Sequence, residues 1–117
     1  MYQFINPQQD HNAEKLWKQI QKSLAEKTFI MSITDVIYEL IEVSEKGITY
    51  SAKSRSANAP ETITKENAIS ILQGLIEQTT FNTDTTKSLF RSTTIYRQRS
   101  PMFAILIASG IIEMTTK

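Results

Sequence analysis

Cysteine is missing from the 117 residues, and histidine occurs once. The first absence removes disulfides, thiolate metal ligands and a cysteine nucleophile together, and it suits a reducing compartment, so the cytoplasm is the expected location. The second leaves His11 alone near an expected helix start, short of the ligands a zinc site needs and of a serine–histidine–aspartate triad. Glycine is confined to positions 47, 74 and 110, too far apart for a phosphate-cradling loop, so no nucleotide cofactor is expected. Three prolines are too few for a linker-rich or disordered chain. The most apolar run, residues 102–112, is about half the roughly 20 residues that cross a bilayer, and Ser109 and Gly110 interrupt it. No membrane partner is expected. The first residues carry no basic stretch ahead of an apolar one, so no secretory leader is expected either.

The length and a hydrophobic share of 40% suit one domain with one core, spanning residues 1–117. Net charge is +1, but the charge is unevenly spread. Residues 1–84 carry 8 basic and 11 acidic side chains, and residues 85–117 carry 5 and 1. The basic part is the C-terminal part.

Apolar periodicity predicts the elements. Asp10 is placed to cap a helix over residues 11–27, in which Ala13, Leu16, Trp17, Ile20 and Leu24 recur along one face. Lys15, Lys18, Gln19 and Lys22 form its solvated side. Residues 28–43 are rich in Ile, Val, Tyr and Phe, and a second β-rich run follows Gly47. This reads as a β-hairpin, with Gly47 taking the positive φ that closes a bulged turn and with Val43 and Ile48 as cross-strand neighbours. The alternative is helical: Ile33, Val36, Ile37, Leu40 and Ile41 also make a helical stripe, and a helix there would give a winged-helix arrangement.

Residues 54–62 read as an exposed loop. Thr64 then caps a second helix that buries Ala68, Ile71, Leu72, Leu75 and Ile76. Residues 79–86 read as a loop or poor edge strand, Leu89 and Phe90 as part of a short helical turn, and residues 92–99 as a third strand. Ser100 as cap, Pro101 at the first helical position and Gly110 as the stop mark a final helix that should be the most buried element. The fold class is therefore α+β: helix, β-hairpin, helix, a basic irregular or strand segment, and a buried C-terminal helix.

A magnesium-dependent nuclease would need acidic residues ending neighbouring strands, with a lysine beside the second. Asp35 has no such counterpart, because Ser51 and Ala52 precede Lys53. Asp35, Glu39, Glu42 and Glu45 read instead as a solvated acidic edge, and no catalytic or metal residue is assigned. The remaining constellation is Lys87, Arg91, Tyr96, Arg97, Gln98 and Arg99, with hydroxyls between them and no carboxylate over residues 85–112. Arginine forks and hydroxyls hold phosphates, Gln98 has the groups to read a base edge, and Tyr96 can stack on an exposed base. Lys53, on the hairpin face of Thr49 and Ser51, and Arg55 after it are candidates to join them. The expected function is a non-enzymatic nucleic-acid-binding module, with DNA ahead of RNA as the ligand. Three alternatives stand beside it. The arginines could simply solubilise a strand or pair with the acidic half. The domain could be a protein-interaction module using its acidic edge or an apolar patch. A small-substrate enzyme could use the hydroxyl-rich segment.

The order of features also resembles small accessory domains attached to bacterial restriction-type nucleases and helicases. The residues that carry this are Glu42-Val43-Ser44-Glu45-Lys46-Gly47-Ile48-Thr49-Tyr50 as hairpin, a loop containing Ser56, the helix around Leu72 and Leu75, and Arg99-Ser100-Pro101-Met102-Phe103-Ala104-Ile105-Leu106 as the closing helix. About two thirds of the chain is covered, and the first helix lies outside. The resemblance implies a module for modified DNA or DNA ends, or a small partner (an inhibitor or subunit) in a defence system. It brings no nuclease chemistry with it.

Overall fold

The computed structural model describes residues 2–5, 12–32, 36–52, 60–78, 80, 81, 86 and 99–115. Among them are three helices and two antiparallel sheets, an α+β architecture. Helix α1 spans Ala13–Leu24 and buries the five apolar residues expected of it. Its cap is Asn12 rather than Asp10: in extended backbone, the Asn12 side chain accepts hydrogen bonds from the amides of Glu14 and Lys15 and satisfies donors that have no partner inside the helix.

The larger sheet is a meander of β2 (Phe29–Met31), β3 (Ile37–Ser44), β4 (Gly47–Ala52) and β5 (Glu61–Thr64), each antiparallel to the next. Residues 37–44 are thus strand, and the helical, winged-helix alternative is not adopted. Its apparent helical stripe has a physical origin: apolar side chains sit on both faces of the strand, Ile37 and Ile41 outward and Leu40 toward the core. Beyond them the register shifts between Leu40 and Glu42, so Ile41 and Glu42 are both exposed before Val43 turns back toward the core, as a β-bulge does.

Gly47 and Val43 opposite Ile48 define the hairpin as expected, but Gly47 does not take a positive φ; of the three glycines only Gly110 does. Glycine is needed at 47 because β5 passes too close: a Cβ there would lie 2.7 Å from the carbonyl oxygen of Ile63. That neighbour is itself a correction, since part of the segment read as loop is strand β5. A four-residue strand with one inward apolar side chain, Ile63, gives too short an alternation to be read from the sequence. Because β2 pairs with residues 37–39 of β3 on the other side from β4, Glu39 lies on a sheet face rather than along an edge, whereas Glu42 lies past the end of that pairing.

Thr64 ends β5 and caps helix α2 (Lys65–Ile76), accepting from the Asn67 amide. Ala68, Ile71, Leu72 and Leu75 are buried and Ile76 partly so. Helix α3 runs Arg99–Ala108, so Arg99 opens a helix rather than closing a strand, and Ser100 and Pro101 lie inside its first turn instead of at the cap and first position. Proline is tolerated there because first-turn amides have no acceptor within the helix. Met102 to Leu106 are all buried.

At the other end Gly110, at φ 75°, reverses the chain; its amide donates to the Ile107 carbonyl and that of Ile111 to the Leu106 carbonyl, closing the helix with a Schellman pair. Gly110→Ala is expected to cost about 1–2 kcal/mol, the usual penalty for a Cβ in left-handed backbone, although nothing crowds the position. A thermal melt checks this. A second sheet, unforeseen from sequence, pairs β1 (Tyr2–Phe4) with β6 (Ile112–Met114). Burial pushes the Tyr2 hydroxyl pKa above its ordinary value.

The helices cover one face of the meander. Ile30, Tyr38, Ile48, Tyr50 and Ile63 join Trp17, Ile20, Leu72 and Ile105 in one buried cluster. Helix α1 also grips the hairpin turn: the Trp17 indole donates to the Glu45 carbonyl at 3.3 Å, and Gln21 to the Ser44 carbonyl at 2.7 Å. Among the described residues no helix is long and apolar enough to cross a membrane.

Candidate functional site

Lys53, Arg55, Lys87, Arg91, Tyr96, Arg97 and Gln98 lie outside the described residues, as do His11, Asp35 and the expected short turn at Leu89 and Phe90. Arg99 is described as the first residue of α3. The geometry that bears on the basic constellation is therefore that of the elements from which its two segments leave.

Both are tied to Tyr38. This side chain is 3% exposed, on the helix-covered face of β3. Across the sheet its register partner is Ala52, the last residue of β4, directly before Lys53. On the helix side its hydroxyl donates to the Ser100 hydroxyl at 3.3 Å, in the first turn of α3 and next to Arg99. Tyr38 is held by its neighbours: the Tyr50 ring meets it edge to face at 5.7 Å, and the Tyr50 hydroxyl in turn donates to the Glu61 carboxylate at 3.2 Å. A buried aromatic body with a polar tip is well suited to such a joint, because the ring packs in the core while the hydroxyl reaches a partner at its margin. The segments beginning at residue 53 and ending at residue 98 thus join the described fold next to partners of one tyrosine. Sequence reading treats Tyr38 as a β-former only; nothing in the periodicity distinguishes a tyrosine that joins two elements from one that fills space.

The face of the sheet away from the helices has a different character: it is exposed over β2 and β3, while Ser51 on β4 is buried. Glu39 faces Phe29 on β2 and Ser51 on β4, Met31 faces Ile37, and Glu42 faces Thr49, which in turn faces Thr62. Thr49 and Ser51 thus share a face, as expected. The hydroxyls of Thr49 and Thr62 lie 2.8 Å apart. Phe29, Met31, Ile37 and Ile41 are 53%, 45%, 37% and 51% exposed, a grouping hidden in a sequence where each reads as a core residue. Glu39 and Glu42 form no ion pair with any described residue, the described pair being Lys65 with Glu14 at 3.3 Å. Among the described residues no group of three or more potential ligands is placed to hold a metal ion.

Compared with known proteins, the chain matches no family model, no curated protein and no solved structure.

Proposed function

We propose that the domain is a non-enzymatic nucleic-acid-binding module whose contact surface is built from Lys53 and Arg55 on one side and Lys87, Arg91, Tyr96, Arg97, Gln98 and Arg99 on the other. The observation that carries this reading is the Tyr38 joint: of the residues adjoining the two basic segments, Ala52 is the register partner of Tyr38 across the sheet and Ser100 accepts a hydrogen bond from the Tyr38 hydroxyl. Two runs of cations far apart in sequence thereby start from one region of the fold. No carboxylate interrupts residues 85–112 in the sequence, and a run of cations and hydroxyls of that kind suits phosphate binding. The resemblance to accessory domains of restriction-type nucleases and helicases points the same way and suggests DNA in a bacterial defence system as the setting.

In this reading the basic groups hold phosphates, Tyr96 stacks on a base and Gln98 contacts a base edge. Binding weakens steeply with salt, because each phosphate contact releases a counterion. Arg97→Ala and Arg99→Ala are each expected to weaken DNA binding at all sequences tested and to lower the slope of log affinity against log salt by about 0.9 per lost contact. Gel-shift titrations over a range of salt read both quantities. Unchanged affinity of the double variant for DNA and RNA would sink the proposal.

A further inference from the structure

The outward face of β2 and β3 is a surface of another kind. Phe29, Met31, Ile37 and Ile41 stand exposed on two adjacent strands. Scattered apolar residues on a surface are ordinary, whereas a contiguous group marks a place of contact. Within the group is a charge. Glu39 lies directly opposite Phe29 and, on its own strand, two residues from both Ile37 and Ile41. Any partner that covers these apolar side chains also takes Glu39 out of water. An ionised carboxylate buried without a counter-charge is costly, and no described residue of this chain supplies one. The partner must.

We propose that this face docks a protein segment carrying apolar side chains around a lysine or arginine, the apolar groups seating on Phe29, Met31, Ile37 and Ile41 and the cation meeting Glu39, with Glu42 at the border. Charge complementarity selects this occupant over a second copy of the chain. A two-fold contact through the same face would bring Glu39 and Glu42 toward their own equivalents. It also selects against nucleic acid, whose phosphates the carboxylates repel. Peptide binding at residues 29–41 is read separately from DNA affinity, so either can fail without the other.

The test uses three synthetic peptides titrated into the full chain and read by amide chemical shifts: leucines around a central arginine, the same peptide with glutamate for arginine, and the same with serines for the leucines. The leucine–arginine peptide is expected to bind, shifting residues 29, 31, 37, 39 and 41, and the other two to bind far more weakly. Glu39→Gln should weaken that binding about tenfold, the equivalent of one charge-assisted hydrogen bond. Phe29→Ser should weaken it too, while Glu66→Gln, an exposed carboxylate on α2, should not. Both substitutions on the patch are of exposed residues and leave the core alone. No binding of the leucine–arginine peptide, equal binding of the glutamate peptide, or shifts confined to other residues would each overturn the proposal. Shifts of the patch with protein concentration alone would overturn it in favour of self-association.

Discussion

Replacing Trp17 with alanine is expected to remove about 3–5 kcal/mol of stability, the usual cost of emptying a large aromatic site. The side chain is 1% exposed and lies in the cluster that joins α1 to the sheet and to α2. It also carries a directed contact, the indole hydrogen bond to the Glu45 carbonyl in the turn between β3 and β4. Alanine loses both; phenylalanine keeps most of the volume and loses the bond alone, so Trp17→Phe should cost less than half as much. A domain of this size is stable by about 5–15 kcal/mol in total, and the alanine variant should therefore be marginal or unfolded at 37 °C. Urea unfolding monitored by far-ultraviolet circular dichroism ranks the two variants. Equal losses would mean that Trp17 acts mainly through its hydrogen bond and that the core tolerates the cavity.

Gly47→Val should be nearly as damaging, for a reason that has nothing to do with backbone conformation. A Cβ at 47 would lie 2.7 Å from the Ile63 carbonyl oxygen and 3.2 Å from the Thr64 Cα. Both are backbone atoms, so relief requires β5 itself to move. Overpacking of this kind costs about 1–3 kcal/mol, and further loss follows because β5 leads straight into α2. Thr64 caps that helix, and the Lys65 amide donates to the Lys46 carbonyl beside the clash. Faster amide exchange at Ile63, Lys65 and Asn67 than in the parent protein is the expected signature. Exchange unchanged at those three positions would show that β5 yields without disturbing the helix cap.

These two residues also show how much of the molecule is legible in its sequence. The buried face of α1, the Thr64 cap of α2, the hairpin pairing of Val43 with Ile48 and the Gly110 stop all follow from local pattern: each depends on residues within a few positions of one another. Gly47 is recognisable as a turn glycine, yet its actual constraint comes from a strand sixteen residues later. Strands β1, β5 and β6 are three or four residues long, shorter than the window over which alternation can be separated from chance. Apolar residues on both faces of β3 made a strand mimic a helix.

The site divides in the same way. Composition singles out the basic segments, since a carboxylate-free stretch needs no folding to be seen. Only tertiary structure brings the attachment of both segments to Tyr38, because the register with Ala52 and the hydrogen bond to Ser100 join residues 14 and 62 positions from it. The apolar face is invisible for the opposite reason: Phe29, Met31, Ile37 and Ile41 have the composition of a core, and only the alternation of their strands turns them outward.

The pairing of β1 with β6 has a consequence for the order in which the chain acquires its structure. The Gln3 side chain donates to Glu113 across a sequence separation of 110 residues, whereas every pairing in the four-stranded meander joins strands that are consecutive in sequence. Loop-closure entropy makes the long-range pairing the slower to nucleate. The meander and α2 are therefore expected to form the early folding unit, with the clasp of the two distant strands closing afterwards, an order that pulsed amide exchange during refolding would read.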